Sequence, residues 1–180
     1  MSKNVLVLST SPRKNSNSDI LAEAFMEGAR AAGHVVEKIN LRDKTINFCK
    51  GCMACQKKQR CVQHDDADLI AQKMLHADVL CFATPIYYYA VSGQLKTMLD
   101  RSNPLYPSDY AFRDIYLLAS STDEASSAID GAINDMQGWI KCFPKCHLSG
   151  VLHGAGVTNE GEISNKPEIL RKSFELGKGC

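Results

Sequence analysis

The sequence predicts an α/β fold in three layers, with a parallel sheet between two layers of helices. Short apolar runs of strand length alternate with amphipathic helical segments about five times along the 180 residues. The apolar runs are continuous, as expected for strands that are buried on both faces. Polar loops follow three of these runs, at the edge of the sheet where open α/β sheets bind their ligands.

The individual elements follow from this alternation. Strands are predicted at residues 4–9, 34–40, 78–84, 115–119 and 148–154. Helices are predicted at residues 18–32, 65–76, 91–101, from after 127 to about 143, and 168–176. In the first helix, Leu21, Ala24 and Phe25 recur at helical spacing. Gly33 follows as a C-terminal stop.

The whole chain, residues 1–180, is expected to form one domain with a cysteine-rich loop at about residues 45–64. The formal net charge is +1, which gives no electrostatic basis for a nucleic-acid or membrane partner. The first apolar run, residues 5–8, is too short for a signal peptide or a membrane helix. We therefore expect a cytoplasmic protein.

The first loop, residues 9–18, is rich in hydroxyl and amide groups and leads directly into a helix. The N–H groups at a helix N-terminus and the helix dipole favour an anion, and Arg13 can add positive charge. The glycine-rich dinucleotide fingerprint and the Walker A pattern are both absent. A capping role explains one of Ser16, Asn17 and Ser18 but not the whole run, so the loop predicts a phosphate site.

The loops after the third and fourth strands indicate a site for a flat aromatic ring. Residues 84–90 contain three adjacent tyrosines, Tyr87, Tyr88 and Tyr89. A planar heteroaromatic ligand needs aromatic or apolar faces and a few polar groups at its edge. The alternative is that these tyrosines pack locally or at a subunit interface. The polar residues 120–124 could close the ring site from the other side.

Four of the eight cysteines lie close together, with the spacing Cys49-x2-Cys52-x2-Cys55-x5-Cys61. In a reducing compartment such spacing suggests metal, cluster or redox chemistry. Short spacings let one loop wrap an iron–sulfur cubane, and all four thiolates could bind one cluster. A structural zinc site and free or disulfide-forming thiols are the alternatives. Nearby positive charge would offset the charge of a cluster; it comes from Lys50, Lys57, Lys58 and Arg60.

Together these residues resemble the flavodoxin-like NAD(P)H-dependent FMN reductase superfamily, and more narrowly its iron–sulfur flavoprotein branch. The resemblance extends over nearly the whole chain. The matching segments are residues 11–13, 16–18, 84–87, 91–96 and 99–101, the cysteine segment, and Asp65-Asp66. Two features depart from the family pattern. Thr10 stands where the family often has glycine, and the third loop lacks the glycines often found there.

The resemblance implies a flavodoxin-like fold with five strands in the order 2-1-3-4-5 and FMN at the switch point. It implies a [4Fe–4S] cluster near the flavin of a neighbouring subunit, in a homodimer or homotetramer. The implied phosphate-binding residues are Ser11, Arg13, Ser16, Asn17 and Ser18. The implied ring-binding residues are Pro85, Ile86, Tyr87 and Tyr88, to which Ser121 and Thr122 of the third loop are added. The implied cluster ligands are Cys49, Cys52, Cys55 and Cys61.

The leading functional hypothesis is an FMN-dependent oxidoreductase. It would move electrons from NAD(P)H or a redox protein to a quinone, a nitroaromatic or an oxygen species. The flavin carries this chemistry, so no separate catalytic residue is predicted. A second hypothesis is an electron carrier that a ferredoxin-type partner reduces. A third is a thiol-based or zinc-bearing sensor or binding module.

Overall fold

A parallel sheet forms the middle layer of the structure, a computed structural model that describes residues 1–180. The strands are β1 (Asn4–Ser9), β2 (Val35–Asn40), β3 (Val79–Tyr87), β4 (Ala90–Val91), β5 (Asp114–Ser120) and β6 (His147–Gly154). The helices are α1 (Asn17–Ala31), α2 (Cys55–Lys58), α3 (Asp66–His76), α4 (Gly93–Arg101), α5 (Asp130–Ile140) and α6 (Pro167–Lys178). None of these helices combines the length and the apolar content needed to cross a lipid bilayer. The predicted three-layer α/β fold is confirmed.

The strand order is β2-β1-β3-β5-β6, and all of these neighbours pair in parallel. The order agrees with the one implied by the resemblance, apart from β4, a two-residue strand that pairs antiparallel with β3. The chain leaves β1 toward β2 on one side and returns to β3 on the other. The loops after β1 and β3 therefore diverge, and this opens a crevice at their carboxyl ends.

Each strand contributes alternate side chains to two separate cores. On one face, Leu8, Phe82 and Leu117 pack with α3, α4 and α5. On the other face, Val7 and Leu118 pack with α1 and α6. Most side chains of both cores are fully buried, so the sheet is a rigid support for the loops at its edge.

Three details differ from the expectation. The third strand was predicted to end at residue 84, but β3 continues to Tyr87 because Ile86 and Tyr87 pair with β4. The short helix α2 lies inside the cysteine-rich loop, where no element was predicted. Helix α5 ends at Ile140, and residues 141–143 continue only as hydrogen-bonded turns before Pro144.

Helices α1 and α6 approach each other closely because each presents a glycine to the backbone of the other. A Cβ atom added to Gly28 would lie 1.9 Å from the carbonyl oxygen of Phe174. A Cβ atom added to Gly177 would lie 1.9 Å from the carbonyl oxygen of Phe25. Neither oxygen can move without displacing its helix. The contact holds α1, which follows the predicted phosphate loop, against α6, the last helix of the chain.

We expect Gly177→Ala to destabilise the fold, since it forces these helices apart, at a cost of about 1–3 kcal/mol for overpacking. Urea unfolding measures the change. The matched control is Gly138→Ala in α5, where no atom outside the adjoining residues and the backbone of that helix lies within 4 Å of the added Cβ. There alanine should stabilise the helix by roughly 0.8–1.0 kcal/mol. Equal stabilisation by both substitutions would contradict the close contact.

Candidate functional site

A cleft lies at the carboxyl ends of β1, β3 and β5, with a volume of about 80 Å³. Four loops line it, with the residues Ser11, Arg13, Ser16, Asn17, Pro85, Ile86, Tyr87, Ser120, Thr122, Val157, Thr158 and Glu160. Eight of these residues belong to the predicted cofactor site. The three predicted residues outside the lining are Ser18, Tyr88 and Ser121. The enclosed volume suits a small anionic group, and a larger ligand would extend over the open rim. Larger cavities lie elsewhere, among them one between β2 and α3 and one beside Cys61.

The N-terminus of α1 points its backbone N–H groups toward this cleft. Ser16 is the N-cap, and its hydroxyl accepts a hydrogen bond from the backbone N–H of Asp19 at 3.2 Å. The other N–H groups of the first turn have no partner within the helix, so they are available to an anion. Asn15, with φ of 46°, turns the chain into the helix. Ser18 is fully buried behind the cleft, with its hydroxyl 3.4 Å from that of Ser16.

A fourth loop, after β6, forms a wall of the cleft that the sequence analysis did not identify. The side-chain amide of Asn17 donates to the carbonyl oxygen of Asn159 (2.9 Å) and accepts from the N–H of Ile163 (3.0 Å). Arg13 Nη1 donates to the carbonyl oxygen of Thr158 (3.0 Å). Asn17 is therefore occupied at both ends of its amide, whereas Arg13 keeps further N–H donors for a ligand. The sequence did offer one indication of this wall, because residues 155–160 directly follow the last predicted strand and so begin at the same edge of the sheet as the other three loops.

Three buried hydroxyl groups connect the first loop to the second. Thr10 Oγ1 donates to the carbonyl oxygen of Ala83 (3.0 Å) and lies 3.0 Å from Ser92 Oγ. The N–H of Ser92 donates to Thr84 Oγ1 (3.1 Å), and Ser92 Oγ also caps α4. A glycine at position 10 could not make these bonds. The departure from the family pattern at Thr10 therefore has a structural role, since it ties β1 to the start of α4.

The tyrosine loop is a two-residue hairpin turn between β3 and β4. Tyr88 and Tyr89 have φ angles of 50° and 62°. Positive φ at both central residues is typical of a type I′ turn, in which Asn-Gly is preferred. Non-glycine residues in this region are strained, and such strain concentrates at functional sites. The turn presents Tyr88 fully exposed beside the cleft, while the predicted neighbour Tyr87 lines the cleft and is partly exposed.

The third loop and α5 hold the tyrosine turn in place. Tyr89 Oη donates to Asp123 Oδ2 (3.1 Å), and this bond raises the pKa of Tyr89. The N–H of Val91 donates to Asp135 Oδ2 of α5 (3.1 Å). Gly131 lets α5 approach, because a Cβ atom there would lie 2.0 Å from the carbonyl oxygen of Tyr89. The strained turn is thus fixed from three directions.

Of the two predicted residues in the third loop, Thr122 lines the cleft and Ser121 faces away from it. Ser121 Oγ lies 2.7 Å from the carbonyl oxygen of Asp123 and 2.6 Å from His153 Nε2. Burial lowers the pKa of His153, which favours the neutral imidazole near pH 7. Because the Ser121 hydroxyl donates to the carbonyl oxygen, His153 Nε2 donates to the hydroxyl. Ser121 and His153 therefore brace the loop.

The four predicted metal-ligating cysteines lie in the loop between β2 and α3, at the opposite end of α4 from Ser92. Cys49 and Cys52 are exposed, whereas Cys55 and Cys61 are partly buried. No three Cys, His, Asp or Glu side chains lie close enough together to hold a metal ion in this conformation. Two sulfurs accept hydrogen bonds from fixed donors: Cys61 Sγ from Arg101 Nη2 (3.2 Å) and Cys55 Sγ from Asn103 Nδ2 (3.1 Å). The donor set fits an iron–sulfur cluster chemically, and the exposed part of the loop would have to close around it.

A buried ion pair anchors this loop. Arg101 and Asp65 are each 1% exposed, and they are joined by two hydrogen bonds of 2.6 and 2.7 Å. Burial by itself raises the pKa of Asp65, but hydrogen bonds from Arg101 and Asn47 outweigh it and hold the pKa well below its usual range. Arg101 also donates to the carbonyl oxygen of Asn47 (2.7 Å). Both ends of the cysteine segment are therefore tied to α4.

Comparison with known proteins identifies the family to which this chain is similar. Residues 3–144 match the family described as NADPH-dependent FMN reductase. An iron–sulfur flavoprotein of Archaeoglobus fulgidus is 38% identical over 94 residues, which cover 52% of this chain and 43% of that relative. The chain thus spans about half the length, or less, of the first iron–sulfur flavoproteins that it matches.

A Bacillus subtilis protein, whose name describes an NAD(P)H-dependent, FMN-containing oxidoreductase, is 32% identical and covers 93% of this chain and 89% of its own length. The NAD(P)H:quinone oxidoreductase of Methanothermobacter marburgensis superposes with a TM-score of 0.77 at 20% identity, covering 99% of this chain and 96% of its own. That superposition supports the flavodoxin-like fold. The sequence matches show that this chain belongs to the NADPH-dependent FMN reductase family.

Proposed function

We propose that this protein binds FMN in the cleft and is an FMN-dependent oxidoreductase that takes electrons from NAD(P)H. The observation that carries the proposal is the cleft itself, where a helix N-terminus, hydroxyl groups and Arg13 converge at the switch point of the sheet. This arrangement suits the phosphate of a mononucleotide. The family match supports the same reading.

The residues present fit an FMN phosphate. The proposed donors are the first-turn N–H groups of α1, the hydroxyls of Ser11 and Ser16, and the guanidinium of Arg13. Ser9 Oγ is buried at the end of β1 without a hydrogen-bond partner. A buried hydroxyl without a partner is costly, which favours a polar ligand or water beside it. Asn17 and Ser18, also in the predicted phosphate set, shape the cradle from behind.

The proposed ring site lies across the rim of the cleft, on residues 85–88 with Thr122 opposite. Bound FMN supplies the redox chemistry, since it accepts hydride and passes electrons on singly or in pairs. Pro85 and Ile86 offer backbone groups and an apolar wall, Tyr87 covers one side, and Tyr88 is free to cover the ring or a second subunit. The chain's own task is to orient the ring and exclude water.

The finer parts of the proposal concern the cluster and the partners. Cys49, Cys52, Cys55 and Cys61 are proposed to bind a [4Fe–4S] cluster, as the names of several relatives suggest. The exposed Phe48, Met53 and Tyr88 favour burial in a homodimer or homotetramer. A cytoplasmic location agrees with this chemistry. The proposed acceptors are quinones, nitroaromatics or oxygen species.

A second candidate is an electron carrier that a ferredoxin-type partner reduces at the cluster. The exposed cysteine loop carries four basic residues. This loop favours the electron carrier, because a basic surface suits an acidic redox protein. The oxidoreductase is preferred because the family match, over residues 3–144, includes three of the four loops that line the cleft.

We expect NADPH to bleach the flavin absorption band rapidly when it is mixed with the FMN-loaded protein under anaerobic conditions. Stopped-flow absorbance measures the rate. Reduction by a ferredoxin-type donor, with no reduction by NADPH or NADH, would favour the electron carrier. Purified protein that is colourless and does not take up added FMN would refute the flavin proposal.

We expect Arg13→Gln to weaken FMN binding about tenfold or more, because a hydrogen bond to a charged group contributes roughly 1.5–3 kcal/mol. Binding of riboflavin, which lacks the phosphate, should change little. Quenching of flavin fluorescence measures both affinities. The matched control is Lys14→Gln, which removes the neighbouring charge outside the cleft. Equal losses for FMN and riboflavin would contradict the phosphate role of Arg13.

We expect Tyr88→Asn to stabilise the fold but to weaken FMN binding. Asparagine adopts positive φ more readily, which relieves about 1 kcal/mol of strain. The lost aromatic contact should cost roughly 0.5–1.5 kcal/mol of binding. Urea unfolding and FMN titration measure the two effects. The control is Gln59→Asn, at φ of 53° in the cysteine loop, which should relieve strain without changing FMN affinity. Unchanged FMN affinity in Tyr88→Asn would exclude the ring contact.

A further inference from the structure

The four clustered cysteines are not equivalent in this structure. Cys55 Sγ and Cys61 Sγ each accept a hydrogen bond from a side chain outside the loop, at 3.1 and 3.2 Å. Cys49 Sγ has only a 3.5 Å contact with the N–H of Gly51, inside the loop, and Cys52 is exposed. One half of the thiol set is therefore held by the folded domain, and the other half is not.

The donor to Cys61 is held by three hydrogen bonds besides the one that it makes to the sulfur. The Arg101 guanidinium uses Nη1 for Asp65 and the carbonyl oxygen of Asn47, and Nη2 for Asp65 and Cys61 Sγ. Its side chain is 1% exposed. Because the two parallel bonds to Asp65 set the plane of the guanidinium, Nη2 cannot turn away from the sulfur. Cys61 is also held through its backbone N–H, which donates to Asp68 Oδ1 (2.9 Å).

The donor to Cys55 is fixed by the turn that follows α4. Asn103 begins the 3₁₀ helix Asn103–Leu105, directly before Pro104. The preceding residue, Ser102, donates from its hydroxyl to the carbonyl oxygen of Leu99 (2.7 Å) and accepts from Trp139 Nε1 (2.9 Å). This network ties the backbone before Asn103 to the core, so the side-chain amide extends from a rigid support.

We propose that Arg101 and Asn103 are positioning residues of a sulfur site at the C-terminal end of α4. They hold Cys61 and Cys55 as the preformed half of the ligand set, and Cys49 and Cys52 complete it when the exposed segment closes. Their N–H groups stay bonded to the two sulfurs and stabilise the added negative charge of the reduced cluster. Hydrogen bonds to cluster sulfurs raise the reduction potential. This inference rests on the cluster of the proposed function.

The direct test is Asn103→Leu, which removes the donor to Cys55 at similar side-chain size. Protein is purified without oxygen, iron and sulfide are assayed, and the cluster potential is determined by a redox titration followed by electron paramagnetic resonance. We expect wild-type iron content and a lower potential. A tenfold shift in the ratio of reduced to oxidised cluster at fixed potential corresponds to about 59 mV for one electron.

The matched control is Gln63→Leu. Gln63 Nε2 donates to the carbonyl oxygen of Phe48 (3.1 Å), so this change removes an amide of the same loop that contacts no sulfur. We expect its potential to equal that of the wild type. A second variant, Arg101→Lys, keeps the charge but has a single nitrogen in place of the two that bond Asp65 in parallel and reach Cys61. We expect it to lose at least half of its iron, while circular dichroism and FMN binding report on its fold.

Three results would overturn the inference. An unchanged potential in Asn103→Leu, with iron bound, would show that the amide does not act on the cluster. Wild-type protein that binds no iron would remove the cluster together with this inference, but it would leave the flavin band and its reduction by NADPH as a separate test. Equal shifts in Asn103→Leu and Gln63→Leu would also count against it, since only the first contacts a sulfur.

Discussion

Thr10 directly follows β1, and both its backbone N–H (2.9 Å) and its hydroxyl (3.0 Å) donate to the carbonyl oxygen of Ala83. These bonds fix the point at which the first loop leaves the sheet beside β3. The Ser92 hydroxyl forms a hydrogen bond with the Thr10 hydroxyl, and Ser92 is the N-cap of α4. The crevice of an open parallel sheet is formed by chain direction alone, but its width and rigidity depend on such local ties.

Helix α4 connects the two chemical regions of the chain. Its N-terminus is bonded to the cradle through Ser92, and its C-terminus carries Arg101, which is bonded to the cysteine loop. A helix of nine residues is about 13 Å long at 1.5 Å per residue. Because both ends are buried and bonded, a displacement of the cysteine loop must either strain the Arg101–Asp65 pair or move the helix. The two regions therefore belong to one mechanical unit.

The strands and the loop before α1 could be predicted from the sequence, because both depend on local sequence pattern. Continuous apolar runs gave the strands, and donors placed before α1 indicated the cradle. Two parts were out of reach. The hairpin turn at Tyr88 and Tyr89 lacks the Asn-Gly sequence by which such turns are predicted. It forms because tertiary contacts from Asp123, Asp135 and Gly131 impose it. The bonds between Arg101, Asp65 and Cys61 join residues 36 and 40 positions apart, and only the folded chain shows that they meet.

The tyrosine turn has a consequence for engineering. A turn with two strained residues, held by three neighbouring groups, stores unfavourable free energy in the native state. Substitutions chosen only for thermal stability would select Asn-Gly here and remove an exposed aromatic ring from the rim of the cleft. A more heat-resistant variant obtained in that way would lack the aromatic ring of the proposed contact, a change that no melting curve reveals. Stability screens on this fold should leave residues 88 and 89 out of the library.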